Sequence, residues 1–572
     1  MAALMWISHA ERPMSADELC HALAVELGSR DFDADNIPSM STLVSCCQGL
    51  ITVDKKALTV RLIHFTLQEY LSAGTDIFSR PHAAIAAICL TYLNSQQVKD
   101  LSADPSLEIL DTPFLEYCSL YWGVHAKREL SGTARSLALK LFQDYDGHIS
   151  TKWLLEQGGC LDLGDPGTGF SFSGLHCASF FGIIELVAVL MEMECYDINA
   201  GDFGGYTPLT WASRNGHEGV VKMLVGRMIN PDKPDKYGRT PLSHATERGH
   251  EEIVKILLER EEVNPDKPDK YGRTPLSHAA RNAHERVVKM MVRGGVANPE
   301  KADKFCRTPL SHAAGRGHEG VVKILLKRRE VNPDKPDKDG RTPLSHAARN
   351  AHERVVKTLL GRGQANPNIA NKDSRTPLSY AAQYGHEGVV RVLLGWQPAS
   401  PDEPDITDQA PASFSACGGR EGAIKIIPRR GGVNPNKADT DRQTPLWYAA
   451  SSGHEGVVKA LLEREDVNPN KPNDAGQTPL TLAAWNGHKG VVKMLLERAE
   501  IDPDKPTNHG RTPLSYAAGH GHTGVVKVLL GREGVDPNRP DDHGQTPLMS
   551  AAKWGHRKAV ALLQAHENGN PQ

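Results

Sequence analysis

A unit of about 34 residues recurs from roughly Gly169 to the end of the chain, and its copies are nearly interchangeable. Successive Thr-Pro-Leu openings are separated by this one interval or by twice it; their threonines are Thr207, Thr240, Thr274, Thr308, Thr342, Thr376, Thr444, Thr478, Thr512 and Thr546. Looser copies begin at Ser173 and Ala410 in the same frame, which gives twelve copies. This periodicity predicts a stack of similar units, each covering the apolar face of its neighbour, in place of one central core.

The copy from Asp269 to Val292 illustrates how one unit folds. Gly272 suits a left-handed turn, Thr274 suits a helix N-cap, and Pro275 suits the first helical position. Small apolar residues follow on this helix, and after a break a second helix carries one apolar stripe of Val and Met. Each unit is therefore predicted to be a turn, two short helices and a loop.

The unit TPLSHAAGRGHEGVVKILL, from Thr308 to Leu326, resembles the ankyrin repeat. The resemblance covers about 400 of the 572 residues. It implies an all-α solenoid of about twelve units whose concave face binds a protein partner. Ankyrin units usually carry histidine directly after Thr-Pro-Leu, whereas serine stands there in six copies: Ser243, Ser277, Ser311, Ser345, Ser379 and Ser515. We expect the serine hydroxyl to replace part of the histidine's hydrogen bonding to the turn.

Positions that vary between copies are the candidate binding residues. The residue before the turn glycine is one such position, and the candidates there are Tyr237, Tyr271, Phe305, Asp339, Asp373, His509 and His543. The two residues after Ala-Ala are the other, and the candidates there are Gln383, Tyr384, Trp485, Asn486 and Trp554, the last preceded by Lys553. Tyr, Trp and Arg anchor many protein interfaces, so we predict a protein-binding face. The alternative is drift at positions that packing does not restrain, but three exposed aromatics on successive turns (Tyr237, Tyr271, Phe305) favour binding.

Some copies depart from the pattern in ways that weaken the stack. Glycine is replaced at two kinds of turn position, by Cys306, Ser374 and Arg442 before the capping threonine and by Ala283 and Ala351 between the helices. Each replacement costs on the order of 1 kcal/mol where the backbone φ is positive. The degenerate copy near residues 405–437 lacks the Thr and Leu of its opening, has Gly418-Gly419 in its helix break and carries Pro428 in its second helix. We predict that it is a hinge between two cooperative blocks.

Rows of histidine and arginine have structural explanations. Ten copies place histidine after the helix break, from His217 to His556, and a second row comprises His244, His278, His312 and His346. Equivalent residues of stacked helices lie about 8 to 10 Å apart, too far for zinc bonds of about 2.0 to 2.1 Å, so we expect no metal ion. Arginines before the capping threonine follow an aspartate by four residues, as in Asp235 and Arg239. We expect local ion pairs there, in preference to a strip that binds an acidic partner.

Residues 1–78 have the pattern of a winged-helix-like domain. Ser15 and Glu18 form a capping box at the start of a helix. A second helix is predicted over Ser39 to Cys47, followed by strands over Leu50 to Val53 and Thr59 to Phe65. The second helix has no Lys or Arg to neutralise phosphates, so we expect no nucleic-acid binding.

The N-terminal residues also resemble part of a larger receptor. WISHAERPMSADELCHALAV and RLIHFTLQEYLSA resemble the winged helix that follows the NACHT nucleotide-binding module in fungal NOD-like receptors, and PFLEYCSLYWGVHA resembles their helical segment before the repeats. The resemblance implies domains at 1–78, 79–158 and 169–572, and it places His64 at a nucleotide phosphate. The chain contains no Gly-x-x-x-x-Gly-Lys-Ser/Thr loop. We therefore expect His64 to be a structural residue that packs the wing against a helix.

Composition excludes several broad classes of function. Net charge is −3, from 66 basic and 69 acidic residues, so no overall field recruits nucleic acid or an anionic membrane. The most apolar stretch, Ala83 to Leu93, is about half the roughly 20 residues of a membrane span. Ten cysteines without a Cys-x-x-Cys spacing are typical of reduced thiols. We expect a cytoplasmic protein, and these features do not exclude the nucleus.

The combined prediction is a non-enzymatic interaction scaffold or ligand-sensing arm, derived from a NOD-like receptor but lacking the nucleotide-binding module. We expect a protein partner and no cofactor, catalytic residue, membrane or small-molecule substrate. An alternative is a regulatory subunit that docks in trans on a NACHT NTPase and signals repeat occupancy. An enzyme is the third class, and none of the usual catalytic motifs supports it.

Overall fold

The computed structural model describes residues 1–29, 31–54, 56–73, 77–103, 112–157, 172–193, 195–227, 229–361, 365–396, 400, 402–427 and 433–567. The chain divides into two compact units, Met1–Ala279 and Ala280–Gln572, called here the N-terminal half and the C-terminal half. Both are helical over their described residues, apart from one two-stranded sheet. No helix in these ranges combines the length and apolar character needed to cross a bilayer.

The chain begins with the expected winged-helix arrangement. Its elements are α1 (Ala2–His9), α2 (Ala16–Ala24), a 3-10 turn (Ala34–Asn36), α3 (Met40–Cys46), β1 (Ile51–Asp54), β2 (Thr59–Leu62) and α4 (Phe65–Ala73). The capping box is present, because Glu18 N–H donates to Ser15 Oγ at 3.1 Å and Ser15 N–H donates to the Glu18 carboxylate at 2.7 Å. The strands pair antiparallel with Ile51 opposite Leu62. The predicted extension of the second strand to Phe65 is wrong, because Phe65 already begins α4.

A helical segment connects this domain to the repeats. Its helices are α5 (Pro81–Leu93), α6 (Gln96–Ala103), α7 (Leu115–Arg128), α8 (Gly132–Gln143) and α9 (Ser150–Gln157). The Trp122 ring of α7 is fully buried and lies 5.2 Å from the Phe181 ring of the first repeat. A Cβ on Gly123 would lie 2.2 Å from the same ring, so the missing side chain lets α7 pack directly on that repeat. The predicted boundaries at 158 and 169 fall outside the described residues.

Twelve helix pairs follow within the described residues, in agreement with the predicted number of copies. They are α10 (Gly174–Phe181) and α11 (Ile184–Glu192), α12 (Pro208–Asn215) and α13 (Glu218–Val225), α14 (Pro241–Arg248) and α15 (Glu251–Leu258), α16 (Pro275–Arg281) and α17 (Glu285–Val292), α18 (Pro309–Arg316) and α19 (Glu319–Leu325), α20 (Pro343–Arg349) and α21 (Glu353–Leu360), α22 (Pro377–Tyr384) and α23 (Glu387–Gly395), α24 (Pro411–Cys417) and α25 (Glu421–Ile426), α26 (Pro445–Ser452) and α27 (Glu455–Leu462), α28 (Pro479–Trp485) and α29 (Lys489–Leu496), α30 (Pro513–Gly519) and α31 (Thr523–Leu530), and α32 (Pro547–Lys553) and α33 (Arg557–Glu567). The fold is an all-α solenoid preceded by the winged-helix domain.

The copy from Thr308 shows why each pair forms where the sequence predicts. Thr308 Oγ1 accepts the backbone N–H of Ser311 at 3.2 Å and caps α18, and Gly317 ends this helix with a φ of +81°. On α19, Val322 and Leu325 are fully buried. The cap, the left-handed turn and the apolar stripe therefore all act at the predicted residues.

Backbone hydrogen bonds connect successive turns. In the N-terminal half, Lys270 N–H donates to Tyr237 O at 2.6 Å. In the C-terminal half, Lys338 N–H donates to Phe305 O at 2.7 Å. These bonds satisfy turn groups that a single unit leaves unpaired, so each turn is fixed by the following copy.

The replaced glycines do occupy left-handed backbone positions. The values of φ are +60° at Cys306, +57° at Ser374, +59° at Arg442, +64° at Ala283 and +63° at Ala351. All five belong to the C-terminal half, and each retains a Cβ in a conformation that disfavours one.

The degenerate copy still forms a helix pair. Ala410 supplies no side-chain cap to α24, as expected from the lost threonine, and α25 has only six residues. Ser415 Oγ nevertheless donates to Ala382 O of the preceding copy at 3.2 Å, so the copy is bonded to its neighbour. Pro428 lies outside the described residues. The two predicted cooperative blocks concern unfolding and stay a prediction.

Candidate functional site

The first set of candidate residues lies at the turn tips, and most of these side chains are exposed. Tyr271 is 47% exposed and Phe305 is 49% exposed. Asp339, Asp373, His509 and His543 are exposed as well. Tyr237 differs from the prediction because it is half-buried: the Lys236 ammonium lies 5.1 Å and the Arg239 guanidinium 5.4 Å from its ring centroid.

Arginines beside the turn tips form local ion pairs, as predicted. Arg273 pairs with Asp269 at 2.9 Å, and its guanidinium lies 4.8 Å from the Tyr271 ring centroid. Arg307 repeats the pattern, at 4.9 Å from the Phe305 ring centroid. Each arginine therefore covers part of the neighbouring aromatic ring and is held by an acid of its own turn. The aromatic ring is therefore more exposed than the charged group at such a turn.

The second set lies at the C-terminal ends of the first helices, and its members differ in role. Tyr384 is 39% exposed and Trp554 is 67% exposed, while Gln383 and Trp485 are half-buried. Asn486 is exposed, but its amide donates to Ser451 O of the preceding copy at 2.8 Å. The side chain of Asn486 thus joins two repeats, which makes it a poorer binding candidate than the aromatic residues.

The structure brings Trp485 and Trp554 to the same cleft, called here the C-terminal cleft. It has a volume of about 570 Å³, and its walls include Trp485, Arg511, Tyr516, His520, Lys553 and Trp554. The Trp485 and Tyr516 rings stack at 4.8 Å between centroids and 15° between planes. The His520 ring lies 5.5 Å from Trp485. The turn-tip residues Phe305, Asp339 and Asp373 are not among the residues that line this cleft.

The C-terminal cleft combines aromatic surface with positive charge. Arg511 pairs with the buried Asp541 at 3.1 Å, which holds the guanidinium 5.9 Å from the Tyr516 ring centroid. Lys553 is exposed beside Trp554, at the C-terminal end of α32, whereas Arg511 precedes the N-terminal end of α30. A stacked aromatic pair next to a cation on a long side chain suits an apolar side chain with a nearby carboxylate.

Among the ring-bearing residues of this cleft, Tyr516 and His520 were not predicted to bind, and Arg511 belongs to the row of arginines for which local ion pairs were expected. Tyr516 follows its capping threonine by four residues, a position filled by His, Tyr or Trp in eight copies. That enrichment in rings is a detectable signal. Its meaning depends on stacking between copies, because Trp485 and Tyr516 belong to successive repeats and are distant along the chain.

Histidines at this same position form buried pairs with the turn aspartates. His244 Nε2 lies 3.0 Å from Asp235 Oδ2, and His312 Nε2 lies 3.1 Å from Asp303 Oδ2. The expectation that serine substitutes for the ankyrin histidine is wrong, because the Ser311 hydroxyl bonds to Thr308 Oγ1 at 3.1 Å instead. The histidine one residue later reaches the turn.

Electrostatics fix the ionisation of these pairs. Burial lowers the pKa of His244 to about 4, so this histidine is neutral at pH 7 and donates from Nε2. Burial alone would raise the pKa of Asp269, but hydrogen bonds from His278 and from the backbone of Arg273 lower it to about 2. Turns that contain such a pair therefore hold an ionised aspartate, whereas Asn371 and Asn473 accept the same backbone N–H groups in two other copies.

Histidines after the helix break also join neighbouring copies. Nε2 of His352 lies 3.2 Å from Gly315 O, and Nε2 of His522 lies 2.7 Å from Trp485 O. A Cβ on Gly317 would lie 2.6 Å from the His352 ring. The row is thus a series of hydrogen bonds between repeats, in agreement with the structural interpretation.

One group among the described residues has a metal-ligand composition, namely Glu11, His82 and His125. Its members already bond to protein groups. His125 Nδ1 lies 2.8 Å from His82 Nδ1, and its Nε2 lies 3.0 Å from the Tyr117 hydroxyl. Glu11 is paired with Arg128. Burial lowers the pKa of His125 to about 3, so the neutral rings form an internally bonded network.

His64 lies at the start of α4 and is exposed, contrary to the packing role predicted for it. Its Nδ1 lies 2.8 Å from Thr66 Oγ1 and accepts the Thr66 N–H at 3.3 Å. The ring lies 4.8 Å from Phe65. The side chain therefore caps α4, and this local role explains its place in the sequence.

Comparisons with known families agree with this architecture. The family model "Ankyrin repeats (3 copies)" matches residues 143–235, 221–303, 294–371, 310–408, 412–507 and 499–572. Residues 1–80 are similar to "GPI inositol-deacylase, winged helix domain". No curated protein matches the chain. Since the repeat matches extend over most of its length, the chain belongs to the ankyrin repeat family.

Proposed function

We propose that the chain is a non-enzymatic scaffold, the ligand-sensing arm of a NOD-like-receptor type of protein, and that its C-terminal cleft binds a protein partner. The observation that carries the proposal is the stacked Trp485–Tyr516 pair beside Trp554, which is 67% exposed. Buried and half-buried aromatic residues of this kind dominate the binding energy of many interfaces. Ankyrin repeats act generally as protein-interaction scaffolds, which supports a protein as the ligand.

The cleft chemistry indicates which segment of a partner would bind. An aromatic or branched side chain fits against the stacked rings, and a carboxylate beside it fits Lys553. Removing one central aromatic anchor costs on the order of 2 kcal/mol, or about 30-fold in affinity.

Affinity purification with the full chain, followed by titration of the recovered partner, tests this proposal. We expect Trp554→Ala to weaken binding about 30-fold with unchanged circular dichroism. Met549→Ala is the matched control, because Met549 is also apolar and 56% exposed on α32 but does not line the cleft. Equal binding by both variants would exclude the cleft as the partner site.

The turn tips form a second part of the proposed surface. Phe305 is 49% exposed, and its replacement by Asp should reduce partner capture while leaving helicity unchanged. Asp339→Ala should reduce partner capture only slightly, since Asp339 already pairs with Arg341 at 3.0 Å at an exposed site. Undiminished capture by Phe305→Asp would remove the turn tips from the proposal.

A second candidate function is docking of the winged-helix domain on a separate NACHT-type nucleotide-binding protein. The observation that favours it is an exposed apolar set around β2 and α4, with Ile63 52%, Phe65 68% and Tyr70 66% exposed. Co-purification with the full chain should recover such a protein, and Phe65→Asp should abolish its recovery. Leu27→Asp, at a residue 56% exposed elsewhere in the domain, is the control. Recovery of no nucleotide-binding protein would leave the passive scaffold.

A further inference from the structure

A second cleft lies in the N-terminal half, between α7 and the first three helix pairs. This N-terminal cleft has a volume of about 600 Å³. Its lining includes the apolar residues Leu120, Tyr121, Val124 and Phe180, called here the apolar wall. The cations Lys127, Arg214 and Arg248 also line the cleft, with Lys127 on the same helix as three of the apolar residues. None of the described side chains that line the cleft is acidic.

A neutral histidine, with no carboxylate involved, holds the lysine of this cleft. His217 Nε2 lies 2.8 Å from Phe180 O and therefore carries the proton, which leaves Nδ1 as an acceptor. Lys127 Nζ donates to that Nδ1 at 3.0 Å. Burial, followed by the charge of Lys127, lowers the pKa of His217 to about 4. The lysine keeps two further N–H donors for a ligand.

The environment of Lys127 favours an anion. Desolvation by the surrounding walls lowers the pKa of Lys127, although its side chain stays open to solvent. A carboxylate placed against the ammonium would compensate the lost hydration. No described carboxylate is bonded to Lys127.

Arginines of the second and third repeats add positive charge to the lining of the cleft. Arg214 lies 5.7 Å from the Trp211 ring centroid and 3.2 Å from the Tyr206 hydroxyl, which fixes its position. His250 Nε2 donates to Arg214 O at 3.0 Å and orders the end of that helix. Arg248 is exposed at the corresponding end of α14. The three cations of the cleft are thus supplied by three different helices, α7, α12 and α14.

We propose that the N-terminal cleft binds an acidic peptide segment of a protein partner, with one carboxylate at Lys127, a second at Arg248 and an apolar side chain against Phe180 and Tyr121. Charge complementarity selects the acidic groups, and the apolar wall selects a peptide over a bare phosphate ion, which would leave that wall uncovered. This site is separate from the C-terminal cleft and does not depend on its proposed role.

Fluorescence anisotropy on the full chain tests the proposal. The probe is a fluorescein-labelled peptide of sequence Glu-Asp-Phe-Glu-Leu-Asp, its amide counterpart Gln-Asn-Phe-Gln-Leu-Asn is the neutral control, and inorganic phosphate is the competitor. The variants are Lys127→Gln, Arg248→Gln and the charge-preserving Lys127→Arg. Lys140→Gln is the matched control, because Lys140 is an exposed lysine of the same half that does not line the cleft.

We expect the acidic peptide to bind at least tenfold more tightly than the amide peptide. Lys127→Gln and Arg248→Gln should each weaken it about five- to tenfold, while Lys127→Arg and Lys140→Gln retain binding. Trp554→Ala, in the C-terminal cleft, should have no effect, which separates this test from that of the proposed function. Equal loss in Lys140→Gln, equal binding of both peptides, or phosphate binding that depends on Lys127 without peptide binding would overturn the proposal. Thermal melts of each variant exclude unfolding as the cause.

Discussion

The two halves of the molecule use the same repeat but bury histidine to different extents. Five described histidines are buried in the N-terminal half, whereas His312 alone is buried among those described in the C-terminal half; the five are His125, His148, His176, His244 and His278. Three of the five belong to repeats, and the other two lie in the helical segment. The difference shows that the repeat pattern fixes where helices form, while neighbouring side chains set how strongly a polar residue is desolvated.

The halves also differ in how often glycine occupies the left-handed positions of their turns. Repeats of the N-terminal half keep glycine at left-handed positions, as at Gly205 and Gly216, whose φ values are +77° and +79°. The described part of the C-terminal half has Cys, Ser, Asp, Arg or Ala at six such positions. We therefore expect the N-terminal half to be sensitive to acid and the C-terminal half to contain backbone strain that glycine can relieve.

Acidification is expected to cause the largest change in the free energy of unfolding, and it should destabilise the N-terminal half first. Burial lowers the pKa of His125 to about 3 and the pKa values of His148, His176 and His244 to about 4. Between pH 6.5 and about 4 the unfolded chain binds protons that the folded chain does not, so the free energy of unfolding decreases as pH falls. Each pKa unit is worth about 1.4 kcal/mol, so the four groups together cost several kcal/mol.

Urea unfolding at pH 7 and pH 4.5, followed by hydrogen exchange of peptides from each half, measures this effect. Asp202 acts in the other direction, because burial raises its pKa to about 6, but it offsets only one histidine. His244→Tyr should reduce the pH dependence, since Tyr448 fills the same position in the C-terminal half and bonds to Asp439 at 2.5 Å. Equal acid sensitivity of the two halves would contradict the comparison.

Removal of a turn aspartate is expected to cause the next largest loss in the free energy of unfolding. This loss should occur in both halves. Asp303 accepts the backbone N–H groups of Phe305 and Arg307 at 2.9 Å each and also bonds to His312. Asp303→Ala leaves these donors without an acceptor, so we expect a loss of about 3 kcal/mol in the free energy of unfolding.

Asp303→Asn is the matched control for that prediction. In another copy, Asn473 Oδ1 accepts the N–H groups of Ala475 and Gln477 at 3.1 and 2.9 Å, so an amide can support the turn. The asparagine variant should therefore lose less than the alanine variant in denaturant titrations. If both variants lose the same amount, the carboxylate charge, and not the backbone bonds, stabilises the turn.

Predictions from the sequence were confirmed where the interacting residues are close together in the chain. The Thr308 cap, the left-handed φ of Ala351 and the pairing of Arg273 with Asp269 all involve positions close together in the chain, so spacing alone determines them. The number of helix pairs follows from the same local signals repeated twelve times.

Sequence reasoning failed where side chains of different copies meet. The stacking of Trp485 on Tyr516 and the contact of Lys127 with the distant His217 depend on how elements pack. The half-burial of Tyr237 depends on cations at adjacent positions whose side-chain directions are not encoded in spacing. The contacts of Trp485 and of Lys127 help to form the two clefts, so the candidate sites could be predicted only in part.

Replacing alanine by glycine in the C-terminal half, and glycine by alanine in the N-terminal half, tests the backbone difference. We expect changes of intermediate size in stability. Ala351→Gly should stabilise the C-terminal half by about 0.5 to 1 kcal/mol, because the left-handed cost of about 1 to 2 kcal/mol exceeds the extra entropy of glycine. Gly216→Ala should destabilise the N-terminal half by more than about 1 kcal/mol, since its Cβ would lie 2.8 Å from the His250 ring. Thermal denaturation of each variant measures both changes. Destabilisation by Ala351→Gly would show that its methyl group packs well enough to offset the strain.

Surface ion pairs on the second helices are expected to have the smallest effect and so to contribute little to the difference between the halves. Glu353 and Lys357 are paired at positions i and i+4 in the C-terminal half, with side chains 42% and 58% exposed. Glu353→Gln should lower the free energy of unfolding by about 0.3 to 0.5 kcal/mol, and added salt should remove the difference because exposed charges are screened. Denaturant titrations at low and high salt measure it. A loss above about 1 kcal/mol that persists in high salt would contradict this prediction, because salt should screen a pair that is open to solvent. This pair would then stabilise the C-terminal half as strongly as its turns do.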